Sequence, residues 1–366
     1  MAIYLAKDFV AEYIRARYAR WNGLGLPVDI VTTCLPMDPG PGRILVAVDL
    51  AAASRSDLQA VSGCCEAAHP GILGHEQVGH VVSIGVDAAA FDANGVPISV
   101  GDRVVWSVTA ACGRCSNCLR GLEQKCLHLR RYGHETLEAG WSLNGGFASH
   151  CVLLPGTTIV AVPTELPDTV AAPASGATAT VVAALESAEL RRYHPPVRVL
   201  ITGAGMLGVT AAAMADAAGA WVAVCDPDPD RRDLARSFGA DMVSADASDV
   251  PPVDVALEMS GNPLAVEACI GSLDVGGRAV LVGSMATGRT IWIDPESIVR
   301  NMITLIGVYN YRPGHLKAAV DFLAAAQHRY PFAELVESAG GLDHVEDVLF
   351  EEPGAGRLRR AVRPGW

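Results

Sequence analysis

Val197-Arg-Val-Leu-Ile-Thr-Gly203-Ala-Gly205-Met206-Leu207-Gly208 is the stretch on which the fold turns. A short, largely apolar run stops at a glycine. Glycines then recur at the first, third and sixth places of a segment that opens into the Ala-rich run ending at Ala218. The pattern reads as a buried strand, a tight turn and a helix, the arrangement that cradles a dinucleotide pyrophosphate. Gly203 makes the turn. Gly205 leaves the backbone open to the pyrophosphate, and Gly208 lets the helix approach the strand. Met206 and Leu207 lie at the helix N-terminus, which favours negative charge. Asp226 lies eighteen residues after Gly208, at the end of the next apolar run, Trp221 to Cys225. A carboxylate there hydrogen-bonds an adenosine ribose and repels a 2′-phosphate, so NAD is expected over NADP. Arg231 tempers this preference, because a cation near the adenosine end would accept that phosphate. The competing reading is a tight strand–helix turn that binds nothing.

Strands and helices alternate on either side of this segment. A helical stretch covers 166–190, helices are expected over 207–218 and 231–238, and strands over 253–258 and 278–282. Alternation of this kind indicates an α/β, doubly wound parallel sheet. Toward the N-terminus the pattern changes. Ile44 to Leu50, Val78 to Val82 and Arg103 to Val108 read as strands separated by Gly, Asp and Pro clusters, the signature of a β-rich domain. Residues 1 to about 40 read as a lead-in helix or strand that ends in a turn at Pro36 to Gly42.

The chain has 366 residues, half of them apolar and 19% charged, with a formal net charge of −12. It can bury a large core and has no electrostatic case for nucleic acid or an anionic membrane surface. No apolar run is long enough for a membrane span, and the opening residues lack the apolar core of a signal peptide. The ten cysteines are therefore expected as thiols or metal ligands in the cytoplasm.

Four of those cysteines are spaced Cys112-x2-Cys115-x2-Cys118-x7-Cys126. Thiolates at such intervals wrap one tetrahedral zinc and close its shell, so the ion's role is folding. Unrelated buried thiols and an iron–sulfur cluster are the competing readings.

The zinc lobe, the β-rich front and the dinucleotide fingerprint together resemble the medium-chain dehydrogenase/reductase family, zinc-type alcohol dehydrogenase branch. Matching segments include Pro70-Gly-Ile-Leu-Gly74-His75-Glu76, Gly101-Asp102-Arg103-Val104, Gly145-Gly146-Phe147-Ala148 and Glu258-Met-Ser-Gly261. Ala172 to Val181, with Gly307-Val-Tyr-Asn310-Tyr311, looks most like the subgroup associated with phosphonate metabolism. The resemblance implies a GroES-like catalytic domain over 1–165, with the zinc lobe at about 110–128. It implies a Rossmann domain over 166–305 and a return to the catalytic domain over 306–366. It also implies homodimers or homotetramers, a small-molecule substrate, and hydride exchange with NAD.

A second, catalytic zinc normally accompanies this fold, held by a Cys, the His of the GHE motif and a further Cys or acidic residue. Ser54 and Gly176 stand where the resemblance places the first and third ligands, and only His75 remains. A neutral hydroxyl and a glycine are poor substitutes for thiolates. The usual catalytic zinc is therefore expected to be absent, or rebuilt around His75 and Glu76. Ser56 matches the family's proton-relay hydroxyl. Asp57 and Glu76 are read as supporting carboxylates, although Glu76 stays open as a ligand. Cys64 and Cys65 are read as packing residues, and His80 as the start of a strand. Arg55 is expected to pair with Glu76 or Asp57, to hold an anionic substrate, or to reach solvent.

The resulting expectation is an NAD-dependent oxidoreductase acting on a small polar alcohol or carbonyl, anionic ones included. The alternatives are a zinc-independent reductase of a C=C or C=N bond, a non-redox enzyme (elimination or cyclisation) that retains NAD, and a non-catalytic binding protein.

Overall fold

The computed structural model describes residues 12–138, 140–283 and 289–365. Its opening segment is a hairpin of β1 (Tyr13–Trp21) and β2 (Val28–Pro36), paired antiparallel from Tyr13↔Pro36 to Trp21↔Val28. The lead-in is therefore two strands. The chain reverses at Asn22 to Pro27, where Gly23 and Gly25 supply positive φ. Residues 1–11 of that expected lead-in lie outside the described residues.

An eight-stranded sheet follows. It contains β3 (Ile44–Ala52), β4 (Glu76–Ile84), β5 (Arg103–Ala110), β6 (Arg130–Arg131), β7 (His150–Leu153) and β8 (Thr157–Ala161). β3 is central and pairs with β4 and β7. Its apolar residues are buried on both faces, which explains a continuous rather than alternating apolar run. His80 lies inside β4 rather than at its start, because the strand begins at Glu76.

The second sheet has six parallel strands: β9 (Arg198–Thr202), β10 (Trp221–Cys225), β11 (Met242–Ser244), β12 (Val253–Glu258), β13 (Leu273–Leu281) and β14 (Thr304–Gly307). Their order is β11-β10-β9-β12-β13-β14. The direction of winding reverses between β9 and β12, and a crevice opens there beyond the carboxyl ends of the strands. Val199, Leu200 and Ile201 of β9 are fully buried, each contributing ~1.5–3 kcal/mol of apolar burial. This sheet runs to Gly307, and β15 (Val336–Gly340) and β16 (Arg359–Val362) then complete the eight-stranded sheet.

The helical stretch expected over 166–190 is broken in two places. A helix over Asp168–Ala171 passes into a 3-10 turn over Ala172–Ser175, and a second helix runs over Ala177–Ala188. Pro173 supplies no amide donor to the turn, which ends at Gly176. The break matters for function, because it carries the chain past His75. Ser175 Oγ donates to the His75 carbonyl at 3.0 Å. The Tyr311 hydroxyl donates to the Ser175 carbonyl and accepts from the Val108 amide. One apolar core runs through this seam, joining Leu50, Val78 and Val105 to the Ala-rich helices and β9.

Candidate active site and metal centre

The four lobe cysteines converge. Their sulfurs all lie within 4.8 Å of one another. Cys115 Sγ is 3.4 Å from Cys118 Sγ and 3.8 Å from Cys126 Sγ. Sulfurs ~2.3 Å from one tetrahedral zinc stand ~3.8 Å apart, so the set fits that ion. Backbone amides of Leu127, Cys112 and His128 donate to the Cys115 and Cys126 sulfurs. Donation from the Cys118 and Leu127 amides lowers the Cys115 thiol to about 6, favouring the thiolate a metal needs.

The dinucleotide crevice is equally complete. Gly203 has φ of +93°, a conformation that disfavours any side chain. A Cβ on Gly208 would lie 1.7 Å from the Gly203 carbonyl oxygen, which enforces glycine for close packing. Nothing lies within 4 Å of the position a Cβ on Gly205 would take, so the approach to its backbone is clear. Asp226 faces the same crevice and accepts from the Ala204 amide at 2.7 Å. Met206, Leu207, Arg231, Arg55 and Arg359 also line this space of about 700 Å³. The residues fit a dinucleotide.

A second cavity, of about 220 Å³, adjoins the crevice and shares Leu207, Met259 and Ser260 with it. It contains Ser54, Arg55, Ser56, His75, Glu76 and Gly176. The sequence-predicted catalytic residues are thus brought together, except that Asp57 sits behind them, 1% exposed.

Local sequence explains their geometry. Ser54 is the N-cap of the helix Arg55–Val61, and Asp57 is its third residue. Ser54 and Asp57 form a reciprocal capping box, with the Ser54 amide donating to Asp57 Oδ2 at 2.8 Å and Ser54 Oγ to the same oxygen at 2.7 Å. The other carboxylate oxygen accepts from the Gly74 amide at 2.9 Å. Burial pushes the Asp57 carboxyl up. His75, His134 and the donated hydrogen bonds outweigh it and hold the group below its ordinary value. Ser56 Oγ lies 2.9 Å from Ser54 Oγ and 3.5 Å from His75 Nε2.

Glu76 decides the fate of the second zinc. Its carboxylate, 2% exposed, accepts from the Ala177 amide at 3.1 Å and from Arg359 Nε at 3.0 Å. A Cβ on Gly176 would lie 2.5 Å from Glu76 Oε1. Glu76 therefore occupies the space a ligand side chain at 176 would need, and Arg359 neutralises it. Among the described residues, only the cysteine lobe gathers three or more potential ligands. The residues present do not fit a catalytic zinc, and the expected rebuilding around His75 and Glu76 is not what the geometry provides.

Two further readings are decided by the geometry. Of its alternatives Arg55 takes the solvent-facing one and pairs with neither Glu76 nor Asp57, because Arg359 and the capping box already satisfy them. Its side chain is exposed between the cavity and the crevice. Cys64 and Cys65 are exposed rather than packed, since they follow the end of a short surface helix.

His134, Arg131 and Arg359 were not singled out from sequence. His134 lies against His75 with ring centroids 4.7 Å apart and planes tilted by 41°, and its Nδ1 bonds the Tyr132 carbonyl at 2.8 Å. Burial lowers it to about 4, assisted by His75, so it is neutral near pH 7. A signal for it existed in Gly133, whose Cβ would lie 2.5 Å from the Gly74 carbonyl oxygen. That close approach presses the 131–134 loop onto the loop carrying His75. Arg359 has no local signal, because it reaches Glu76 from 283 residues away.

Comparison with known proteins agrees with this architecture. Residues 40–164 match the alcohol dehydrogenase GroES-like domain, and residues 207–325 match the family of zinc-binding dehydrogenases. The L-threonine 3-dehydrogenase of Anaeromyxobacter sp. (strain K) is 33% identical over 71% of this chain and 75% of its own. The 5-exo-hydroxycamphor dehydrogenase of Pseudomonas putida is 30% identical over 89% of this chain and 92% of its own. An alcohol dehydrogenase from Thermotoga maritima shares the fold, with a TM-score of 0.86, 24% identity, and coverage of 96% of this chain and 99% of that one. The chain belongs to the zinc-type medium-chain alcohol dehydrogenase family. It is an oxidoreductase of that family, built for zinc and a nicotinamide cofactor.

Proposed function

We propose that this enzyme prefers NAD over NADP and transfers hydride at a pocket that works without a catalytic zinc. The carrying observation is Glu76, which fills the third ligand position beside Gly176 and is held by Arg359 and the Ala177 amide. The substrate is a small polar alcohol or carbonyl compound, sized to the 220 Å³ cavity.

The nicotinamide, when bound, supplies or accepts the hydride. In reduction, Ser56 Oγ donates the proton that the substrate oxygen acquires. His75 Nε2 lies beside that hydroxyl and replenishes its proton, while Ser54 Oγ, whose own proton goes to Asp57, positions Ser56 as an acceptor only. Asp57 keeps Ser54 in place through the capping box. No dication stabilises an alkoxide here, so an already polarised double bond is reduced more readily than an alcohol is oxidised. The preference for NAD rests on the Asp226 carboxylate at the crevice, which repels a 2′-phosphate.

A cytoplasmic location is part of the proposal, because cysteines gathered as metal ligands suit a reducing compartment; no described helix is long and apolar enough to cross a membrane. A homodimer or homotetramer is part of the proposal. It is supported by the exposed apolar side chains Val299 and Met302, which lead into β14 at the edge of the six-stranded sheet.

Calorimetric titration with NADH and NADPH, followed by NADH oxidation against a panel of small carbonyl compounds, tests the reading. NADH should bind more tightly and be consumed. Tighter NADPH binding would overturn the cofactor assignment, and cofactor binding without turnover on any carbonyl would overturn the redox assignment.

A further inference from the structure

Resting on that oxidoreductase reading, we propose that Arg131 is the substrate's anion anchor, so that the enzyme takes an anionic substrate carrying a carboxylate or phosphoryl group. The charge around the cavity motivates this. Its lining residues include Arg55, Arg131 and Arg359, the first two exposed, and a single acidic residue, Glu76. Before the imidazoles of His75 and His134 are counted, the wall carries two net positive charges within a chain whose formal charge is −12. Such a concentration opposes the field of the whole molecule and selects anions.

The three guanidiniums have different engagements. Arg359 is bound to Glu76 and is not available. Arg55 lies on the boundary with the dinucleotide crevice, where the pyrophosphate charge belongs. Arg131 lines only the substrate cavity. Its guanidinium makes no hydrogen bond or ion pair among the described residues, and the local carboxylates explain why. Glu135 is the nearest acidic side chain in sequence. One of its oxygens accepts from Arg130 Nε at 2.6 Å and the other from the Arg131 backbone amide at 2.6 Å. Arg130 also takes Glu138 and stacks over Trp141. The neighbouring arginine and a backbone amide thus engage the acidic groups, and the Arg131 fork is left for a ligand. A bidentate guanidinium matches a carboxylate or phosphoryl group.

Asn310 and Tyr309 of the same lining are proposed to receive the remainder of such a molecule. Asn310, at φ of +52°, lines the cavity with its amide unengaged among the described residues. Beside it, Tyr309 is held by Lys125 of the zinc lobe, whose Nζ sits 3.2 Å from the ring centroid. Lys125 is therefore occupied by that ring. Ser56 and His75, the groups that handle the proton, line the same cavity, so an anion held on Arg131 shares that space with them.

The test uses the zinc-loaded enzyme saturated with NADH, so that the pyrophosphate positions are filled. Acetate, inorganic phosphate and neutral acetamide are titrated calorimetrically. At least one of the two anions should bind, and acetamide should not; which anion binds separates a carboxylate from a phosphoryl substrate. Arg131→Gln should weaken that anion at least ~10-fold, the loss of a charge-assisted pair, while NADH affinity stays within ~2-fold. Arg131→Lys should recover part of the loss. Arg55→Gln should instead weaken NADH and leave the anion in place. Acetamide binding as well as acetate, or unchanged anion binding in Arg131→Gln, would overturn the proposal. Failure of the wild-type chain to bind NADH would instead overturn the oxidoreductase reading, and the anion titration on the cofactor-free chain would still decide Arg131.

Discussion

Gly176→Ala is the smallest change that probes why this pocket lacks a metal. The new methyl would stand 2.5 Å from Glu76 Oε1 and 2.7 Å from its Cγ, well inside van der Waals contact. Glu76 cannot swing aside at low cost. It is buried, and both carboxylate oxygens are engaged, by the Ala177 amide and by Arg359. Overpacking of a tight site costs ~1–3 kcal/mol, and displacing the carboxylate loses a charge-assisted hydrogen bond of ~1.5–3 kcal/mol. We expect a destabilisation of ~2–4 kcal/mol, with part of each contribution relieved by relaxation. Glu76→Ala alone should also destabilise, by ~3–5 kcal/mol, because it leaves Arg359 unpaired in a largely buried place. With Glu76 truncated, however, the clash disappears, and Gly176→Ala should cost no more than ~0.5 kcal/mol. Urea unfolding of the four variants, each with its structural zinc retained, gives the coupling energy directly. A wild-type-like Gly176→Ala, or an equal loss in both backgrounds, would refute the claim that Glu76 fills the third ligand position.

Other consequences are independent of this one. Asp226→Asn should narrow the gap between NADH and NADPH affinity by ~10-fold by removing the charge facing a 2′-phosphate, and competitive binding of the two cofactors reads it. Arg55→Ala should weaken NADH binding measured by calorimetry, because its side chain borders the crevice; unchanged affinity would return it to a solvent-facing role. Burial holds His150 at about 4, below the ~6.5 of an unfolded histidine. The unfolded chain therefore takes up the proton first as pH falls. The contribution of neutral His150 is intact above ~pH 6.5 and lost progressively toward pH ~4, amounting to ~2 kcal/mol at pH ~5. Urea unfolding across that window should show a shallower pH dependence in His150→Gln, and an unchanged slope would contradict the assignment.

Much of this architecture was legible in the sequence because the decisive features are local. A six-residue glycine pattern has one workable strand–turn–helix geometry, and Gly203 and Gly208 show the conformation and contact that demand glycine. Four cysteines within fifteen residues converge through loop geometry alone. The substitutions Ser54 and Gly176 were readable as losses. What replaced them was not, since Arg359 meets Glu76 across 283 residues and only the assembled sheet joins them. His134 and Arg131 enter the pocket because β6 pairs with the end of β5, a register set by tertiary packing. The opening hairpin was ambiguous for a different reason. β1 is only partly buried and β2 has no fully buried residue, so their apolar pattern is too weak to declare a period.

Zinc content per chain, measured by plasma mass spectrometry on wild type and Cys115→Ser, tests the central claim most directly. One zinc per chain in the wild type and none in the variant is the predicted result. Two zincs in the wild type would put a metal where Glu76 lies, and zinc retained in Cys115→Ser would put it outside the four-sulfur shell; either result contradicts a single, structural zinc.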